Sequence, residues 1–98
     1  MPVDGAPLTA RLEVGGRVQG VGFRAAMASA ARAIGATGWV RNLGDGSVEA
    51  MVQGDKQQVE QVVRWCHSGP PGAQVLRVDV QWVATGTVFG SFATRPSA

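Results

Sequence analysis

The sequence predicts an α+β domain in which two helices cover one face of a mostly antiparallel sheet. Apolar and polar residues alternate in several short stretches, apolar residues recur at helical spacing in two others, and glycine, proline or aspartate separates these stretches. The chain has 98 residues, of which 45% are hydrophobic and 16% charged, a composition typical of one small globular domain. We therefore expect a single domain over residues 1–98, with a loose N-terminal lead at 1–8 and a short tail at 96–98.

The first strand and the first helix flank a glycine-rich loop. Polar and apolar residues alternate over residues 10–14, which is the period of a strand with one solvated face. After the loop, apolar side chains recur at helical spacing from Phe23 to Ile34, and Gly35 supplies a C-terminal stop. A strand, a glycine-rich turn and a helix are thus predicted in immediate succession.

The next two strands form a predicted hairpin. Residues 37–42 and 47–53 have short β patterns, and the segment 43–46 between them contains Gly44, Asp45 and Gly46. These residue types tolerate the positive φ angles of a tight turn, so we expect the two strands to be antiparallel neighbours.

A second helix follows the hairpin. Asp55 is a suitable N-cap, and residues 68–72, Ser-Gly-Pro-Pro-Gly, end the helix. The predicted apolar stripe consists of Val59, Val62, Val63 and Cys66. Because Cys66 is the single cysteine, no internal disulfide can form, and we expect a buried thiol.

Two more strands complete the predicted sheet. Residues 75–83 alternate, and a short closing strand is predicted over 89–94. The alternation at 75–83 assigns to one apolar face Leu76, Val78, Val80 and Trp82. The order βαββαβ plus a short C-terminal strand is that of a ferredoxin-like α/β sandwich, since two right-handed crossovers place both helices on the same face.

The loop at residues 15–24, Gly-Gly-Arg-Val-Gln-Gly-Val-Gly-Phe-Arg, has the features of an anion site. Such a loop directs backbone N–H groups into one small space beside the positive end of a helix dipole. Gly20 and Gly22 permit close backbone approach or unusual φ/ψ angles, and Arg24 adds a planar fork of donors suited to phosphate. The alternatives are an ordinary tight turn and a solvated arginine, although Arg24 is unfavourable at a helix N-terminus unless an anion is bound.

Two segments, Gly-Arg-Val-Gln-Gly-Val-Gly-Phe-Arg at 16–24 and Gly-Trp-Val-Arg-Asn-Leu-Gly-Asp-Gly-Ser-Val-Glu at 38–49, resemble the two signature segments of the acylphosphatase family. The resemblance extends from about Ala10 to Thr94. It implies a hydrolase that converts acyl phosphates to a carboxylate and inorganic phosphate without a cofactor.

The resemblance also implies roles for individual residues. Arg24 is expected to be the catalytic arginine that holds phosphate, and Asn42 to orient the attacking water, although local sequence alone makes Asn42 a turn residue. A phosphate oxygen of the substrate is expected to take the proton, so that no enzymic general base is needed. The phosphate-binding loop implied by the family comprises Arg17, Val18, Gln19, Gly20, Val21, Gly22 and Phe23, with Arg17 contributing only its backbone N–H and general positive charge.

The remaining residues argue against other catalytic chemistries. One histidine, His67, cannot form a metal cluster, and its place at the end of the second helix favours interaction with the helix dipole. A serine-based triad would need the same His67. The loop also lacks the spacing of nucleotide-binding loops. We therefore expect neither a metal nor a nucleotide cofactor.

Composition limits the partners. A net charge of +2 without long basic runs suits a small anionic substrate, with inorganic phosphate or sulfate as a product-like ligand. The alternative is a phosphate- or RNA-binding ferredoxin-like module without catalysis, but RNA readers of this fold stack bases on aromatic residues of central strands, and residues 11–14 and 47–53 contain none. No nucleic-acid partner is expected.

The sequence also gives expectations about the domain context, the oligomeric state and the cellular location of the protein. A third alternative is an acyl-phosphate-handling domain of a larger carbamoyl-transfer enzyme, which the short chain without linkers disfavours. We expect no signal peptide, because no segment combines a basic start, an apolar centre and a small-residue cleavage site, and no apolar run approaches ~20 residues. We expect a monomeric, soluble cytoplasmic enzyme with no membrane partner. Many family members end in an aromatic residue, whereas here Phe92 is followed by Ala93, Thr94, Arg95 and Pro96.

Overall fold

The computed structural model describes residues 7–98, which form a five-stranded sheet and two helices. In chain order these elements are β1 Leu8–Arg17, α1 Phe23–Ile34, β2 Thr37–Asn42, β3 Val48–Gly54, α2 Lys56–Ser68, β4 Gln74–Val83 and β5 Phe92–Thr94. The strand order is β4-β1-β3-β2-β5, and β5 pairs parallel with β2 whereas the other pairs are antiparallel. The predicted ferredoxin-like α+β fold class is confirmed.

The core lies between the helices and one face of the sheet. Alternate residues of the central strands β1 and β3 point to this face, and they pack against the apolar stripes of both helices. The buried side chains include Ala10, Leu12, Val14, Val48, Ala50, Val52, Phe23, Met27, Ala31, Val59, Val62 and Cys66.

None of the helices among residues 7–98 is long and apolar enough to cross a membrane.

The opposite face of the sheet carries an ion-pair network. Glu49 of β3 accepts from Arg11 of β1 and from Arg41 of β2, each at 2.7 Å, and its side chain is only 10% exposed. Burial opposes ionisation of Glu49, but the hydrogen bonds from Arg41 and Arg11 outweigh it and hold the pKa of the carboxyl below its ordinary value. Charged side chains therefore occupy the centre of this face.

The start of α2 and the end of α1 each have a local cause. Asp55 caps α2, because its Oδ1 accepts from the Gln58 N–H at 2.8 Å while Gln58 Oε1 accepts from the Asp55 N–H at 2.9 Å. Gly35 ends α1 in the left-handed conformation, with φ at 95°. The predicted N-cap and the predicted stop are confirmed.

The ends of the chain differ from the expectation. β1 begins at Leu8, which is paired with Gly54, so the loose lead expected over 1–8 is wrong at its last residue, and residues 1–6 lie outside the described part. β5 spans only Phe92–Thr94 instead of residues 89–94. The tail is attached to β2, because the Ala98 N–H donates to the Asn42 carbonyl at 3.0 Å.

The prediction for Leu76 was wrong. Leu76 was assigned to the apolar face of β4, but it is 76% exposed. The cause is a β-bulge: Gly15 pairs with Arg77 and Gly16 with Val75, which leaves Leu76 unpaired. A Cβ on Gly16 would collide with the Gln74 carbonyl, so glycine permits this close approach of the strands.

Candidate active site

The glycine-rich loop joins β1 to the N-terminus of α1. Gly22 is the N-cap of α1 in a left-handed conformation, with φ at 77° and ψ at 22°, and Gly20 has φ at 75°. A Cβ on either glycine would meet no atom within 4 Å, so it is the backbone conformation, and not the lack of space, that requires glycine.

The N-terminus of α1 has free hydrogen-bond donors. No side chain caps it, and its first turn contains no acidic residue. The first N–H groups of a helix have no partner within the helix, and they carry the positive end of its dipole. This end of α1 is therefore suited to an anion.

Gln19 holds the loop against the β2–β3 hairpin. Its side-chain Nε2 donates to the Leu43 carbonyl at 2.8 Å and to the Ser47 carbonyl at 2.9 Å. Val18 is buried in the core, and Val21 packs against the core while partly exposed. These three side chains anchor the loop beside the end of β2, where Asn42 lies.

A pocket of about 310 Å³ lies between the loop, α1 and the ends of β2 and β5, a size at the lower end for small-molecule sites. The structure brings most of the predicted site residues to this pocket. Arg17 and Val21 are not among its lining residues: Arg17 ends β1 opposite Gln74 and is exposed. The lining comprises Val18, Gln19, Gly20, Gly22, Phe23, Arg24, Ala25, Asn42 and Thr94.

Arg24 lies in the first turn of α1 and is half-buried. Its Nη1 donates to the carbonyl of Arg95 at 3.2 Å. In the described part of the chain, carboxylates pair with Arg11, Arg41 and Arg77 but not with Arg24. The guanidinium charge of Arg24 is therefore available to an anion in the pocket.

Asn42 is the last residue of β2 and lies opposite Val48. Because Val48 is buried beneath the helices, Asn42 belongs to the same face of the sheet as α1 and the loop. Asn42 lines the pocket, and the side-chain hydrogen bonds found within residues 7–98 do not include its amide. The amide is therefore free to bind a water molecule or a ligand.

Sequence reasoning missed the contribution of the C-terminal segment. Thr94 lines the pocket, and the Arg95 carbonyl contacts Arg24. Both reach the site because β5 pairs parallel with β2, with Thr94 opposite Val40. Ala25, the other unpredicted lining residue, directly follows Arg24 on α1, so its proximity could have been inferred from helix geometry.

The other reactive side chains lie away from the pocket. Burial raises the pKa of the Cys66 thiol to about 12, and its Sγ is 3.9 Å from the Met27 sulfur. His67 is exposed in the last turn of α2. Over residues 7–98, no group of three or more His, Cys, Asp or Glu side chains is placed to hold a metal ion.

Comparisons with known proteins identify relatives of this chain. The family model described as Acylphosphatase matches residues 10–94. An acylphosphatase of Anaeromyxobacter dehalogenans is 52% identical over 86 residues, which are 88% of this chain and 92% of that relative.

Solved structures extend the comparison. An acylphosphatase from Coxiella burnetii superposes with a TM-score of 0.87 at 31% identity, over 92% of this chain and 94% of that one. The structure of full-length HypF in the phosphate- and nucleotide-bound form matches with a TM-score of 0.84 at 25% identity, over 93% of this chain but only 12% of HypF. The chain belongs to the acylphosphatase family.

Proposed function

We propose that this protein hydrolyses the carboxyl-phosphate bond of an acyl phosphate by direct attack of water, with the phosphoryl group held by Arg24 and the loop at residues 17–23 and the water positioned by Asn42. Acyl phosphate hydrolysis is the activity of the family to which the chain belongs. The observation that carries the proposed roles is one pocket lined by Arg24, by Asn42 and by the loop before the uncapped helix α1.

The chemistry of an acyl phosphate explains why so few groups suffice. The mixed anhydride is already activated, and a carboxylate is a good leaving group. The enzyme has to position the reactants and stabilise negative charge on the phosphoryl oxygens. N–H groups at the start of α1 and the planar fork of Arg24 are suited to both tasks, because they are oriented before the substrate binds.

The proposed step is a displacement at phosphorus. A bond forms between the water oxygen and phosphorus, the bond from phosphorus to the acyl oxygen breaks, and the carboxylate leaves with that electron pair. Arg24 is the one ionisable side chain among the described residues that line the pocket. Because the neutral amide of Asn42 is a weak base, we propose that a phosphate oxygen of the substrate takes the proton of the water.

We also propose a small-molecule acyl phosphate as the substrate of a monomeric cytoplasmic enzyme, with inorganic phosphate or sulfate as a product-like ligand. The ion pairs of Glu49 with Arg11 and Arg41 support the absence of a nucleic-acid partner, because they occupy the sheet face on which related folds stack bases.

A phosphate-release assay tests the proposed function. Acetyl, carbamoyl and benzoyl phosphate serve as substrates, and a phosphomonoester serves as the control. We expect phosphate release from the acyl phosphates and none from the monoester. A protein that binds phosphate but hydrolyses none of these substrates would instead be a binding module.

A further inference from the structure

Arg95 connects the proposed catalytic arginine to the sheet face that carries the ion pairs of Glu49. Its carbonyl accepts the 3.2 Å hydrogen bond from Arg24 Nη1, and its N–H donates to the Val40 carbonyl at 2.8 Å. Its own guanidinium lies over the Trp39 ring, 4.6 Å from the ring centroid. Arg95, the residue that follows β5, thus contacts both the pocket and the sheet face opposite the helices.

The side chains of the segment at residues 93–98 make no contribution to the buried core. Every residue from 93 to 98 is exposed, so core packing does not position the Arg95 carbonyl. β5 ends at Thr94, and after Arg95 the one backbone hydrogen bond in the described chain is that of Ala98 to Asn42. Stacking of Arg95 on Trp39 therefore adds a side-chain contact to the backbone hydrogen bonds of Arg95 and Ala98 that restrain the segment.

The Trp39 ring is itself a fixed platform. It is half-buried, and Arg41 lies over it as well, 5.0 Å from the centroid. Arg41 is held by its 2.7 Å ion pair with Glu49, a residue of the central strand β3. The stacked group of Arg41, Trp39 and Arg95 thus connects the C-terminal segment to the rigid part of the sheet.

We propose that Arg95 is a positioning residue for Arg24: its stacking on Trp39 fixes the Arg95 carbonyl, and that carbonyl orients the Arg24 guanidinium toward the phosphoryl group. The inference rests on the phosphate-holding role proposed for Arg24. One of the five N–H donors of the guanidinium is used by the carbonyl, which leaves the others for phosphate oxygens. An arginine oriented before binding loses less side-chain entropy when the anion arrives.

The test compares substitutions that leave the backbone carbonyl of residue 95 in place. We expect Arg95→Ala to lower kcat/KM for an acyl phosphate, and to weaken inhibition by inorganic phosphate, by about three- to tenfold each. Arg95→Lys keeps a cation over the ring and is expected to stay within about twofold of the wild type. Arg64→Ala on α2, which also removes one exposed arginine, is the matched control and is expected to behave as the wild type.

A second variant tests the platform, and melting temperatures separate positioning from stability. Trp39→Ala is expected to reproduce the loss seen in Arg95→Ala, and combining the two is expected to add little because they remove the same contact. The melting temperature of Arg95→Ala without ligand is expected to lie no more than about 8 °C below that of Arg95→Lys, because an exposed cation–π contact contributes little to global stability.

The outcomes distinguish this inference from the proposed function. Full activity and unchanged phosphate inhibition in Arg95→Ala would overturn the positioning role, and so would an equal loss in Arg95→Lys or in Arg64→Ala. If Arg24→Ala abolishes activity while Arg95→Ala does not alter it, only the positioning role fails. If Arg24→Ala itself remains active, the proposed site fails as well.

Discussion

Replacing Asn42 by alanine separates the positioning of water from the binding of phosphate. If the Asn42 amide orients the attacking water, Asn42→Ala loses an interaction made mainly in the transition state. Turnover is then expected to fall by at least ~10²-fold, which corresponds to roughly 2.7 kcal/mol of transition-state stabilisation. The affinity for inorganic phosphate is expected to change by no more than a few-fold, because Arg24 and the helix N-terminus remain.

The structure also predicts the effect of this substitution on stability. The side-chain hydrogen bonds within residues 7–98 do not include the Asn42 amide, so its removal leaves no described group unpaired. The backbone of residue 42 keeps its pairing opposite Val48 and its hydrogen bond from Ala98. We therefore expect the free energy of unfolding to change by less than ~1 kcal/mol.

The assay measures turnover of an acyl phosphate and inhibition by inorganic phosphate, after circular dichroism and thermal melting have shown that the variant is folded. A folded Asn42→Ala protein that keeps more than about half the wild-type turnover would refute the role, since the residue would then contribute under ~0.5 kcal/mol to the transition state. A loss of phosphate affinity comparable to that of Arg24→Ala would show instead that Asn42 binds the phosphoryl group.

Three further predictions concern ligands, metals and pH. Inorganic phosphate and sulfate should inhibit competitively and raise the melting temperature, with ~2.7 kcal/mol of stabilisation at 100 times the dissociation constant, and this shift should disappear in Arg24→Ala; a persistent shift would place the anion elsewhere. Extended dialysis against EDTA should leave the rate of hydrolysis unchanged, and activity that is lost and then restored by a divalent ion would contradict the mechanism. Because its ion pairs lower the pKa of Glu49 from the ordinary value of 4.5, they stabilise the fold fully above that value, and this stability is lost as the pH falls through the lower folded pKa. Denaturant titrations should therefore show a smaller dependence of stability on pH below about 4.5 in Glu49→Gln than in the wild type, and equal slopes would argue against the ion-pair effect.

Much of the fold could be predicted because its signals are local. The alternation in β1 and β3 and the stripes of α1 and α2 reflect the geometry of a single element, and Asp55 and Gly35 act within one helical turn. Leu76 could not be placed in this way. Whether an alternating residue is paired or bulged depends on the neighbouring strand, here on the register shift between Gly15 and Gly16.

The candidate site was also predictable from the residues only where its features belong to one continuous segment. Residue types and their order alone indicated an anion loop before α1, because glycines that adopt positive φ and an uncapped helix N-terminus are properties of one continuous segment. The roles expected of Arg24 and Asn42 came from the resemblance to a family, and these roles stay predictions.

Only the tertiary structure decided which distant residues share the pocket. The end of β2, the start of α1 and the C-terminal segment meet because β5 pairs parallel with β2 and because Gln19 bonds the loop to the hairpin. Such contacts depend on how separate elements pack, and periodicity within one element carries no information about them. For this reason, the contact between Arg24 and the Arg95 carbonyl could not be derived from the sequence.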